Sequence, residues 1–463
     1  MQHPRVPARA AAVATAALVI GAAPAPAHAR LVHVTARQGP FVVPPYQVLF
    51  DTQGTRGVRA PRLDGFIVRM HARLVDRRGH AIPVSRIMLH HLVYKNDGRF
   101  AGDRHDGTCG GTGESFYGRG EEDETLRLPR GYGVRIRKGD RWHSNWMLMN
   151  HSKVFDRAYI RYTATIDTSR RLTPVKPYWL RATPCSTRRD PIFNVPGGGP
   201  PGATHTQAVD WTVPRSGRIV AGGGHLHGGA LAVSLSQPRC GNRTLMSSHA
   251  LYGPPSHPFY HVWPILHEPG PIYSGWMVSR RGLPIRRGEP LRVSGLYEDT
   301  RAHMRVMAIL HVYVAFDRRA GRRCRALPRD ARTLMPQVAG ARTGPPAYPL
   351  PLNMLDASGR AQPVDTLPGP LQSFPGDAAI TLQDVRATPD RVSVPLGATV
   401  RWSFRDPLRH DVTLVNGAGP GFSSRQKFGG TFAHRFTVPG TYRIYCSLHP
   451  LSMPQEVDVR AGS

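Results

Sequence analysis

A chain of 463 residues exceeds one ordinary domain, and a formal charge of +30 invites a nucleic-acid partner. The composition argues against that partner: only five of the 61 basic residues are Lys, the Arg are scattered, and no nucleic-acid-binding signature accompanies them. Nucleic acid is therefore excluded as the expected partner, whereas an anionic cell-surface polymer stays compatible with the charge.

At the N-terminus, Arg5 and Arg9 precede an apolar run from Ala10 to about Ala23, and Ala27-His28-Ala29 has the form of a cleavage site. Residues 1–29 read as a secretory signal peptide, so the mature chain is expected to be secreted or extracytoplasmic. The run is short for a membrane span and no later stretch is longer, so no stable membrane insertion is expected. Beyond it, helical periodicity is almost missing. Gly (48) and Pro (44) punctuate short β-branched runs such as 66–70, 87–94 and 308–314, which predicts an all-β chain of sandwich domains. From residue 318 to 375, Pro, Ala, Gly and Arg dominate and the strand pattern fades, as in a flexible linker. The stretch before it suits two β-sandwiches, 30–172 and 173–317, and 376–463 forms a further strand-rich unit.

Histidine patterns fall in order along these units. His90-His91 sits inside a strand-like run, where neighbours point to opposite faces unless a twist or bulge intervenes. His151 ends the run Met147-Leu148-Met149-Asn150. His225-Leu226-His227 lies between glycines; residues i and i+2 of a strand share a face, so both imidazoles can reach one metal. His249, His257, His261 and His267 form a further group, either loop surface or an extra metal contact. In the last unit His410 follows the run 399–404, and Cys446, His449 and Met453 form a tight loop after the run 441–445. Two imidazoles and a thiolate in a plane, with a weak axial thioether, are what type 1 copper requires. With Cys446 used this way, Cys109, Cys185, Cys240 and Cys324 remain for two disulfides, whose pairing stays open among three possibilities.

The segment from Ile380 to Arg460 resembles plastocyanin- and amicyanin-type cupredoxins, on His410-Asp-Val-Thr-Leu, the turn Pro439-Gly440-Thr441-Tyr442 and the C-x2-H-x3-M loop. That resemblance implies a Greek-key β-sandwich with type 1 copper on His410, Cys446, His449 and Met453; the loop spacing lies between the two standard lengths, which makes Met453 the least secure ligand. More diffusely, 31–317 resembles the copper type II ascorbate-dependent monooxygenases (the peptidylglycine alpha-hydroxylating and dopamine beta-monooxygenase family), on Met88-Leu89-His90-His91-Leu92-Val93, the stretch from Leu128 to Val134, and Gly224-His-Leu-His-Gly228.

This second resemblance implies two jelly-roll domains with one type 2 copper each. His90, His91 and His151 would hold the electron-storing ion, with His143 as a competitor for His151. His225, His227 and Met307 would hold the oxygen-activating, catalytic ion, with Met304 as the alternative thioether and His303 close by. Gly223 and His311 stand where family members grip a peptide carboxylate, so a peptide substrate is not implied. The expected function is that of a multi-copper oxidoreductase, an O2-dependent monooxygenase-like module with a tethered electron-transfer domain. Its partners would be an organic substrate, O2, and an electron donor, either a small reductant or a redox protein. The alternative is a non-catalytic copper-binding or electron-transfer protein whose central domains serve as a scaffold.

Overall fold

The computed structural model describes residues 31–97, 109, 113–169, 171–185, 191–320, 324–347 and 350–462; the expected signal peptide lies outside them. The all-β expectation holds. Among the described residues the helical segments are one-turn 3-10 pieces, and no helix is long and apolar enough to cross a membrane.

Three two-sheet sandwiches follow one another. In the first, a six-stranded sheet built around Leu31–Val43, Asp156–Asp167 and Gly65–Val75 faces a four-stranded sheet. The latter runs Val48–Val58, Trp142–Asn150, Ile87–Asn96, Glu114–Arg119 in spatial order. The chain crosses to the second sandwich between Pro174 and Lys176, where pairing switches from Tyr132–Ile136 to His303–Phe316. There a sheet centred on His303–Phe316 and Gly217–Leu226 covers a five-stranded one. The third unit stacks a five-stranded sheet that includes Gly440–Tyr445 on a four-stranded one that includes Thr399–Phe404.

Half-buried sheets alternate, as Thr204–Thr212 does residue by residue, whereas Gly217–Leu226 is buried almost throughout. That strand lies between its own sandwich and the first: Val220, Ala221, Trp276 and Tyr313 join the core of the first sandwich. Glycine permits the close approach, since a Cβ on Gly120 of the first sandwich would meet the His225 ring at 2.4 Å. The central histidines lie along this seam.

Residues 318–375 differ from the flexible linker expected. Arg332–Leu334 adds an edge strand to the second sandwich, Tyr252 and Arg342 form a bridge, and Leu352–Leu355 pairs with Ala361–Val364 as a hairpin. Gln372–Ser373 then pairs in parallel with Arg391–Pro395 of the third unit. Short edge pairings of this kind draw on backbone groups, so a Pro- and Arg-rich sequence can make them without strand-like patterning. Cys109 is joined to Cys185 and Cys240 to Cys324, which selects one of the three pairings and suits an oxidising compartment.

Candidate metal centres

The C-terminal site is assembled from segments that follow strands of the two sheets. His410 follows Thr399–Phe404 and is fixed by a backbone bridge to Lys427; Cys446 ends Gly440–Tyr445; a turn from Cys446 to Met453 returns the chain over the site. The Nδ1 atoms of His410 and His449 each stand 3.7 Å from Cys446 Sγ. Metal–sulfur and metal–nitrogen bonds of about 2.3 and 2.0 Å at a trigonal angle put S and N about 3.7 Å apart, so the three donors fit one ion between them. Nε2 of His410 lies 3.1 Å from Asp406, which orients the ring and leaves Nδ1 toward the sulfur. The backbone N–H of Asp411 donates to Cys446 Sγ at 3.4 Å. Burial, with Asp411 adding, pushes the Cys446 thiol up to about 12, so binding a metal here displaces a proton. Cys446 is the free cysteine among the described residues, and Met453 is buried in the same core.

The central cluster begins with a β-bulge. In the pairing of Ile87–Asn96 with Trp142–Asn150, Leu89 faces Leu148 and His91 faces Met147, so His90 is the extra residue. A bulge re-aims side chains, and here the two imidazoles end with ring centroids 4.0 Å apart. From the second sandwich, His225 and His227 meet them across the seam. Nε2 of His91 lies 3.0 Å from Nε2 of His227, and His225 lies 4.9 Å from His91 centroid to centroid. Two nitrogens 3.0 Å apart on bonds of about 2 Å subtend roughly 95°, as in tetragonal N-ligation. Burial pulls His90 down to about 4, and His91 and His227 well below the ordinary imidazole range, with neighbouring rings reinforcing the effect. At neutral pH these rings are uncharged and present lone pairs.

Carboxylates from Glu121-Glu122-Asp123-Glu124 support the cluster. Glu122 meets His225 Nδ1 at 2.6 Å and Glu124 meets His311 Nδ1 at 3.2 Å, while Nε2 of both rings is buried without a partner. Burial disfavours charge on His225, but Glu122 outweighs it and raises the pKa. Glu121 contacts both His90 and His267 through one oxygen and accepts Gly270 N–H through the other at 2.8 Å.

The expected ligands are thus regrouped. His90 and His91 gather with His227, rather than with His151. His151 turns Nδ1 to the Pro264 carbonyl at 2.9 Å, and its Nε2 is buried without a partner. His143 is tied to Asp97 at 2.9 Å, and both nitrogens of His303 are held by Glu268 and Glu298. Met307 lines two cavities beside the cluster, one shared with His91 and His227 and the other with His91 and His225. Met304 packs instead against the core of the third sandwich and closely approaches Gly421. Of the downstream histidines, His267 joins the cluster, whereas His249 is exposed, His257 caps a 3-10 turn and His261 bonds the Pro255 carbonyl. Sequence reading passed over Glu121, Glu122 and Glu124. The signal was present: four consecutive acidic residues in a chain with 31 acidic and 61 basic ones.

No protein-family profile and no curated protein matches the chain. Among solved structures it is similar to a purple cupredoxin from Nitrosopumilus maritimus, at 28% identity over 18% of this chain and 100% of that one, TM-score 0.17. It is also similar to an amicyanin variant in its Cu(I) form, at 26% identity over 19% of this chain and 85% of that one, TM-score 0.17. An oxidised amicyanin variant matches at 25% identity over 18% and 83%, again with TM-score 0.17.

Proposed function

We propose that the chain is a secreted copper oxidoreductase in which the C-terminal site passes single electrons to the central histidine cluster, where an organic substrate is oxidised with O2. One observation carries this reading. A cavity of about 600 Å³ is lined both by Tyr445 and Ser447, the neighbours of Cys446, and by His90, His91 and His227. Its apolar walls, which include Phe50, Trp146 and Leu266, suit an organic molecule. Bound copper supplies one-electron chemistry at both ends. The residues do the rest: His91 and His227 hold converging donors, and Glu122 fixes His225. A hydroxylation balances as R–H plus O2, two electrons and two protons giving R–OH and water, so the C-terminal site must deliver twice per turnover from an external reductant.

The test is Cys446→Ser in the copper-loaded chain. The blue absorption should vanish, the central copper should remain, and reductant-driven O2 uptake should fall at least tenfold. Unchanged uptake would sink the relay. A second reading, copper handling without oxidation, draws on Met147, Met149, Met304 and Met307 lining the same cavity, because thioethers favour Cu(I). It predicts tight Cu(I) binding and no O2 uptake with any reductant.

A further inference from the structure

We infer that Glu121 and His267, together with His90, form a second metal site inside the central cluster, so that two ions sit side by side there. Glu122 and Glu124 each touch the Nδ1 of one histidine, the usual role of a carboxylate behind a ligand. Glu121 behaves differently: one oxygen faces two imidazole nitrogens, Nδ1 of His90 and Nε2 of His267. These three atoms lie within 4.8 Å of one another, a two-imidazole, one-carboxylate set. Such a set binds divalent first-row ions and leaves coordination positions open.

His90 stands between the two sets, with its Nδ1 toward Glu121 and its ring against His91 and His227, so ligating both ions through its two nitrogens takes the ring as an imidazolate, its proton released to solvent. The donors at the first position are imidazoles beside the Met307 thioether, and those at the second include a hard carboxylate. The second position therefore favours a divalent ion over Cu(I).

This site does not depend on the electron-relay reading, because its readout is a metal count. Apo protein is titrated with Cu(II) and, separately, with Zn(II), and bound metal is measured after gel filtration. Glu121→Gln keeps the acceptor for Gly270 N–H and the side-chain volume; it should lose one equivalent relative to the parent while keeping the blue absorption. His267→Gln should lose the same equivalent, and the double variant no more than either single one. A full complement in both variants overturns the site. Loss of every central ion in Glu121→Gln, with unchanged circular dichroism, would also overturn it, since the carboxylate would then serve one shared site.

Discussion

His303 has no nitrogen to spare. Its Nδ1 lies 2.8 Å from Glu268 and its Nε2 2.6 Å from Glu298, beside a cluster of rings that each keep a donor free. Burial opposes charge here, but the two carboxylates outweigh it and lift the pKa to about 9. The folded value lies above the ordinary imidazole value, so the stabilisation is complete below about pH 6.5 and fades as pH rises through about 9. Melting temperature should therefore fall between pH 7 and 10 by more in the parent than in His303→Gln; parallel slopes would show that the ion pair contributes nothing. Behind His225, Glu122→Gln should weaken central metal binding by about 10–100-fold with the site of His410, Cys446 and His449 unaffected, read by competition with a chelator. The pairs His90-His91 and His225–His227 and the loop from Cys446 to Met453 were legible in the sequence because their spacings are short. The carboxylates that meet them were not, because Glu121 meets His90 across 31 positions and Glu122 meets His225 across 103.

At the scale of elements, the bulge at His90 and the segment 318–375 depart most from a plain reading. The need for a bulge followed from strand alternation, but its position depends on which strand pairs with Ile87–Asn96. The edge strand Arg332–Leu334 and the bridge at Arg342 depend on backbone groups of a neighbouring sheet, which leave no periodicity in the residues that use them. Cys240–Cys324 anchors the start of this segment to the second sandwich and closes a loop of 84 residues. Replacing both cysteines by Ala should destabilise the chain by about 2–4 kcal/mol in denaturant melts, with the blue site intact. No change in midpoint would mean that the edge pairings alone hold the segment.

At the scale of the whole molecule, the third sandwich rests on the other two. Gly421 N–H donates to the Pro196 carbonyl at 2.8 Å, Arg305 Nη1 to the Ser424 carbonyl at 3.1 Å, and Asn416 Nδ2 to the Leu350 carbonyl at 2.7 Å. Arg305 also stands 3.7 Å from Asp411, the residue whose N–H touches the Cys446 sulfur. On the proposed relay, Arg305→Ala should leave the blue spectrum in place and slow electron transfer to the central copper several-fold in stopped-flow measurements; an unchanged rate would remove Arg305 from the route. None of this docking was legible from sequence, where the third unit reads as an independent domain on a flexible tether.

The seating has a consequence for complementation. Tyr445 and Ser447 face the central cavity, so the approach to Cys446 from that side is occupied by the chain's own first and second sandwiches. On the proposed relay, a donor domain seated this way serves in cis. Chains carrying Cys446→Ser, mixed with chains whose central histidines are replaced, should stay inactive together at any concentration, each holding the half the other lacks.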